Sequence, residues 1–297
     1  MIAIVSVEHS HDLCRAQLRG VGLAPHSISI YTVKLAGGAY INRYLHSKNF
    51  SILKLYCRVA SGIPQNMEDT STLDPSKLGT REYWDEFYNK EINNFADNPS
   101  DCGQNWFEES GAQEKIISFL SGLREDGELE YSASMLDLGC GNGELLLGIR
   151  NEEFEGPLTG IDYSAPAVRF ADLISQEEGV PDIQVRQADF LADSSWNTSD
   201  SEWQVVLDKG TLDAIALSST TYEQGLTGVQ QYAKVVKSLI EPHGILLITS
   251  CNFTEPELDK IILQDGLSKW KTIKYPTIQF AGQTGQTVVS VAYKRSL

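Results

Sequence analysis

Seven residues, Asp137-Leu138-Gly139-Cys140-Gly141-Asn142-Gly143, constrain this chain more than any other stretch. They follow the apolar pair Met135-Leu136 and run into Glu144-Leu145-Leu146-Leu147-Gly148-Ile149, so strand, glycine loop and helix come in immediate succession. Glycine at alternate positions lets the backbone bend sharply and lets a ligand approach with no Cβ in the way. The amides of the loop and of the first helical turn then face that ligand. The pattern predicts a nucleotide-like ligand and excludes two familiar kinds. Counted from Gly139, the sixth residue is Glu144, not the Gly or Ala of a dinucleotide fingerprint, and no G-x-x-x-x-G-K-[ST] phosphate loop occurs. Asp137, at the strand end, repels a phosphate and suits a cation.

The rest of the chain from residue 67 reads as one alternating unit. Aromatic residues at near-helical intervals predict a helix over 81–95, and a second helix follows over 110–123. Strand one ends at Cys140 and its helix runs from Gly143 to about Arg150. Strand two covers 157–162, and Ser164 with Pro166 opens the next helix as N-cap and early-turn proline. Strand three covers 183–190, strand four 202–208, a long amphipathic helix 222–240, and a buried strand five 244–251. Thr254-Glu-Pro-Glu257 is a capping box. Two strands close the chain, about 271–280 and 287–294, with 282–285 turning between them. Strands alternating with helices give an α/β fold, a doubly wound, mostly parallel, Rossmann-like seven-stranded sheet with a C-terminal antiparallel hairpin.

Acids fall at the ends of four strands of that scaffold: Asp137, Asp162, Asp189 and Asp208. In open α/β sheets ligands bind beyond the carboxyl ends of the strands, where strand order reverses. Asp162 is the candidate acceptor for two ribose hydroxyls. Asp189 is placed to accept from an adenine amino group, with Phe190 or a neighbour covering the ring. The plainer reading makes each strand-end Asp a turn former or a helix cap; four of them in register, one ahead of a triple-glycine loop, favour the ligand.

Composition bounds the rest. A 41% hydrophobic and 9% aromatic content can bury a sizeable core, and no run of 18 apolar residues predicts a membrane span. Cysteines 14, 57, 102, 140 and 251 are scattered, without a C-x-x-C pair, which fits a reducing compartment and offers no zinc site. Net charge is −16, which disfavours nucleic acid and favours a basic partner. It is unevenly spread: residues 1–66 hold seven Lys/Arg against two acids, net +5, leaving −21 on 67–297. A transit peptide, a lineage-specific extension and upstream sequence joined to a protein beginning at Met67 compete to explain 1–66. The last is preferred, because Met67-Glu68-Asp69-Thr70-Ser71 reads as a polar, acidic N-terminus. Little packed structure is expected from 1–66, with the functional domain on 67–297.

The loop, with the acids behind it, resembles motif I of class I S-adenosylmethionine (SAM) methyltransferases. Further strings narrow that resemblance. Leu78-Gly79-Thr80-Arg81-Glu82-Tyr83-Trp84-Asp85, Trp106-Phe107-Glu108-Glu109 and Asp208-Lys209-Gly210-Thr211-Leu212-Asp213-Ala214 are similar to strings of the elongation factor 1A lysine methyltransferases, in the same order, over about 77–297. Glu108 stands where that family usually has Gly, and Leu212 where Phe is common. The resemblance implies methyl transfer from SAM to a lysine side chain of translation elongation factor 1A, in the cytoplasm, by a monomer that uses no metal and binds neither nucleic acid nor membrane. It implies a cofactor site of Asp137, Gly139, Gly141, Gly143, Asp162, Asp189 and Phe190. Tyr83, Trp84, Trp106, Phe107, Lys209 and Thr211 are candidates for a substrate channel, the aromatic faces attracting a cation. Asp208 and Asp213 are candidates to hold the ammonium or to receive its proton through water. Each has a plainer reading too: aromatic core, helix cap, ion pair. A small-molecule methyltransferase and a non-catalytic module of the same fold are the alternatives.

Overall fold

The computed structural model describes residues 73–297 except 198–200, 264–265, 277, 281–282 and 286, together with three short strands upstream. The chain divides into two units, Met1–Met67 and Glu68–Leu297. In the first, β1 (Ala3–Ile4) pairs parallel with β2 (Ser29–Lys34), and β2 pairs antiparallel with β3 (Tyr40–Leu45). The remainder of 1–72 lies outside the described residues, and most of the segment expected to hold little packed structure falls there.

The second unit begins with α1 (Arg81–Asp97), capped by the Thr80 hydroxyl, and α2 (Ala112–Glu125). Then β4 (Met135–Leu138), α3 (Glu144–Asn151), β5 (Leu158–Asp162), α4 (Ala165–Glu177) and β6 (Gln184–Gln187) alternate. They are followed by β7 (Trp203–Lys209), α5 (Thr211–Ala216), α6 (Gly228–Val236), β8 (Ile240–Ser250), α7 (Glu255–Ile262), β9 (Leu267–Ile273), the hairpin β10 (Ile278–Phe280) and β11 (Gln283–Gly285), and β12 (Val289–Arg295). Seven strands form one sheet in the order β6-β5-β4-β7-β8-β12-β9. Only β12 runs antiparallel to its neighbours β8 and β9. The chain winds from β4 to β5 to β6, then returns to the other side of β4 with β7. The reversal therefore lies between β4 and β7, where Leu138 pairs with Asp208. Among the described residues, no helix is long and apolar enough to cross a membrane.

Both faces of the sheet are covered, and strand alternation decides which residue goes where. On β7, Val206 packs into one core with Leu136, Leu138, Leu246, Ile248 and residues of α5, α6 and α7 such as Tyr232 and Leu258. Val205 and Leu207 point the opposite way, into a second core with Met135, Leu247 and residues of α1 to α4 such as Leu120, Leu146 and Phe170.

Two expectations are corrected in detail, and one helix is added. The helix expected over 222–240 starts only at Gly228, because Thr227 and Gln230 cap each other reciprocally, and a 3-10 turn, Lys237–Leu239, ends it. The strand expected over 271–280 ends at Ile273. Pro276 has no N–H to give a ladder, and 278–280 instead pairs with 283–285 as a separate hairpin. Helix α5 has six residues, too few to show a period in the sequence.

Candidate functional site

The glycine loop adopts the backbone its composition requires: φ is 63° at Gly139, 56° at Gly141 and 76° at Gly143. It is also closely covered. A Cβ on Gly139 would collide with Thr211 Oγ1, and one on Gly141 would collide with the Tyr88 hydroxyl. Cys140 is buried, with its sulfur 2.7 Å from where a Cβ on Gly160 would stand.

The strand-end acids separate into two sets. Asp137 and Asp162 lie in register with the residues that face α1 to α4. Asp162, 6% exposed, accepts from the Gly141 amide at 3.1 Å and the Ser164 amide at 2.9 Å, tying strand β5 to the loop. Burial pushes its carboxyl up to about 6, and those two amides hold it back. Asp137 is 3% exposed. Burial raises its pKa, the facing Lys209 pulls it down, and Asp208 and Asp162 raise it further; no hydrogen bond to it forms among the described residues. Lys209 is itself lowered by burial, against the pull of Asp137 and Glu144.

Asp208 has the parity of Val206 and turns to the other face, beside Tyr232. It is 1% exposed, and its oxygens accept from the Thr211 amide at 2.9 Å and the Leu212 amide at 3.0 Å, capping α5. Burial pushes its carboxyl up to about 7. Asp213, in α5, accepts from the Ser250 hydroxyl and from the amides of Cys251 at 2.8 Å and Asn252 at 3.3 Å. It pins the turn after β8.

Helix α1 closes the rim of the site. Asp85 accepts from the Ser164 hydroxyl at 2.6 Å. Arg81 pairs with Asp189 at 3.3 Å and lies over the Tyr163 ring at 4.9 Å from its centroid. Neither Asp85 nor Arg81 stands out by type or spacing; the helix that carries them across to Ser164 and Asp189 is needed to see the contact. Tyr83 meets Trp84 edge-on at 5.2 Å and Trp84 meets Trp106 at 5.3 Å, so three of the channel candidates form one aromatic wall. Phe107 takes φ 69°, and its ring lies against Gly210. The Lys209 ammonium donates to the Trp106 carbonyl at 3.4 Å, and the Thr211 hydroxyl donates to the Leu138 carbonyl at 2.5 Å. Phe190 is not brought to this site. It packs edge-on to Tyr232 at 6.0 Å and lines a cavity of about 230 Å³ with Trp196 and Leu239.

These residues fit a cationic nucleoside. Two buried carboxylates, both raised by desolvation, stand beside a loop whose three glycines carry no Cβ, and a positive ligand relieves them where a phosphate would not. Among the described residues no cluster of His, Cys, Asp and Glu could hold a metal ion.

A family model described as a methyltransferase domain matches residues 129–287. The chain is 46% identical to protein-lysine N-methyltransferase EFM4 of Saccharomyces cerevisiae over 228 residues, 76% of this chain and 98% of that protein. It is 34% identical to EEF1A lysine methyltransferase 2 of Danio rerio, over 78% of this chain and 94% of that protein. A solved structure, the [4+2]-cyclase SpnF, shares the fold at a TM-score of 0.51 and 13% identity, covering 76% of this chain and 99% of that one.

Proposed function

The chain belongs to the protein-lysine N-methyltransferase family of EFM4 and EEF1A lysine methyltransferase 2, and on that premise we propose that it methylates a lysine side chain of translation elongation factor 1A, with SAM as methyl donor, in the cytoplasm. The observation that carries the donor site is the convergence of Asp137 and Asp162 on a loop of three left-handed glycines. SAM supplies a methyl group on a sulfonium, open to in-line displacement.

The chain's own residues have three tasks. Asp162 accepts from the ribose hydroxyls with the lone pairs that Gly141 and Ser164 leave free, and Asp137 supplies negative charge. Trp84, Trp106, Phe107 and Tyr83 line the approach of the substrate lysine. An amine near pKa 10.4 must lose its proton before attack, a cost of about 4.6 kcal/mol at neutral pH, and desolvation against aromatic faces lowers it. Reaction also requires collinear alignment at about 3–3.5 Å. Asp208 and Asp213 act as positioning residues: their oxygens are engaged by the amides of α5 and of the turn after β8, and so fix the wall beside Lys209 and Thr211.

The test is incubation of the full chain with methyl-labelled SAM and purified elongation factor 1A, then mass spectrometry of its peptides. A labelled methyl on one lysine is the expected result. Label absent from the factor but present on a small molecule in the same mixture overturns the substrate assignment.

A further inference from the structure

Phe107 holds a backbone conformation that a residue with a Cβ seldom takes, φ 69°. Such strain persists only where the surroundings fix it, and it collects at active sites and ligand clamps. Two sets of contacts hold this residue directly. Its carbonyl accepts from the Ser110 amide at 3.0 Å, the Ser110 hydroxyl at 2.7 Å and the Ala112 amide at 3.4 Å. Its ring meets Gly210, also left-handed at φ 88°, so closely that a Cβ there would stand 3.1 Å from two ring carbons. The bare backbone ahead of α5 is what lets the ring come this near.

Phe107 also packs against a small core of Ala112, Tyr275 and Val288. Tyr275 lies between β9 and the hairpin and is 6% exposed. Its hydroxyl shares a hydrogen bond of 2.7 Å with the Ser290 hydroxyl of β12, and Ser290 shares one of 2.6 Å with the Thr249 hydroxyl of β8. Ser290 and Thr249 are fully buried, so the three hydroxyls satisfy one another away from water. The Thr249 carbonyl in turn accepts from the Gly210 amide at 2.9 Å. These contacts close a circuit. It runs from the Phe107 ring to Gly210, then through Thr249 and Ser290 to Tyr275, and back through the small core to Phe107. A close-packed interior passes a shift in one member to its neighbours. The C-terminal part of the chain, which carries none of the strand-end acids, therefore bears on a residue at the mouth of the site.

We propose that Tyr275 is a positioning residue for methyl transfer, holding the Phe107 ring against Gly210 and so setting the wall along which the substrate lysine meets the donor. The assignment rests on Phe107 lining the approach of that lysine. Tyr275 acts only through Phe107, and the hydroxyls of Ser290 and Thr249 keep its ring in place. Misplacement by about 1 Å can cost about a hundred-fold in rate. A Phe107 ring that loses one support keeps Gly210 and its carbonyl bonds, so the expected loss is smaller, about ten-fold.

The experiment is a double-mutant cycle on methylation of elongation factor 1A by the full chain, with S-adenosylhomocysteine titrated into each variant by calorimetry. Tyr275→Leu should lower kcat/KM for the protein substrate about ten-fold and leave affinity for S-adenosylhomocysteine within about two-fold. The stoichiometry of the titration counts the folded fraction, and Tyr275→Met, closer in volume, replaces a leucine variant that does not fold. In a Phe107→Leu background, itself impaired, the same substitution should cost less than about two-fold, because the ring it supports is gone. Tyr275→Phe keeps the ring and leaves Ser290 bonded to Thr249, so it should recover most of the loss. Full activity of Tyr275→Leu, the same loss in both backgrounds, a matching loss of S-adenosylhomocysteine affinity, or a phenylalanine variant as impaired as the leucine one overturns the assignment and leaves lysine methylation standing. Full activity of Phe107→Leu removes both residues from the channel. Failure of the unaltered chain to methylate the factor overturns the functional reading beneath the assignment.

Discussion

Strands β4 and β7 lie side by side, and each carries an aspartate as its penultimate residue, yet the two carboxylates live differently. Asp137 is buried without a hydrogen bond among the described residues, while Asp208 accepts from two helical amides. Two facts separate them. Asp137 faces α1 to α4, whereas Asp208 faces α5 to α7, because the residue positions differ in strand parity. The chain after Asp137 bends through three glycines before its helix starts. After Asp208 the helix begins within three residues, close enough for its amides to claim the carboxylate. Between these two acids, the length of chain before the next helix decides whether helical amides reach the carboxylate. In one half of the site the glycine loop leaves Asp137 without a helical amide, and in the other the short helix α5 engages Asp208 with two.

The largest expected effect tests that contrast directly. Asp208→Ala or Asp213→Ala leaves buried amides unpaired and should lower the stability of the ligand-free protein by roughly 3 kcal/mol, read from urea unfolding. Affinity for SAM in the folded fraction should change little. Asp137→Asn should do the opposite. It removes a desolvated charge, Lys209 keeps Glu144, Glu114 and Asp208 around it, and stability should move by no more than about 1 kcal/mol while SAM affinity falls. If Asp137→Asn unfolds the protein as readily as Asp208→Ala, the two halves do not differ as described.

A smaller effect sharpens the ligand half. Asp162→Asn should cost about 2 kcal/mol of SAM affinity, as a charged acceptor becomes neutral. The pH dependence carries the same assignment. Burial raises the Asp162 carboxyl to about 6 in the ligand-free fold, above its unfolded value near 3.9. The folded state therefore holds the extra proton, and the stability due to that protonated group is complete below about pH 4 and lost as pH rises toward 6. Over the same rise the carboxylate that a ribose and a cation prefer becomes available. SAM affinity of the unaltered chain should accordingly increase from pH 5 to pH 7, and Asp162→Asn should flatten that increase. A pH slope that survives the substitution unchanged removes Asp162 from the ribose.

Legibility in the sequence divides along the same line. The glycine loop, Asp162, the Ser164 cap and the winding of the sheet were legible because each depends on a few neighbouring residues. Strand parity is also present in the sequence, and applied along β4 and β7 it is enough to separate Asp137 from Asp208. Other features depend on distant packing. Phe190 sits beside the expected adenine acceptor in sequence, but the core around Tyr232 takes its ring. The clasp of Arg81 on Asp189 arises only when α1 is laid across the strand ends. Pro276 marked the end of a strand, and the apolar residues on either side of it hid that.

The smallest effect concerns Asp189, between the two halves in behaviour. One oxygen pairs with Arg81 and the other accepts from the Ala192 amide at 3.3 Å. The pair is exposed, with 45% and 33% of its side chains open to solvent, so it adds little to the fold, and Asp189→Ala should change stability by less than about 1 kcal/mol. Each oxygen keeps a lone pair, which leaves room for the exocyclic amino group of an adenine. One neutral-donor bond predicts a loss of about 1 kcal/mol, or about five-fold, in affinity for S-adenosylhomocysteine. The inosine analogue has a carbonyl in place of that amino group, so Asp189 gains nothing from it, and Asp189→Ala should bind it no more weakly than the unaltered chain does. If the substitution weakens both nucleosides equally, Asp189 acts through Arg81 and the Tyr163 ring beneath it, and the spent carboxylates extend to the rim of the glycine half as well.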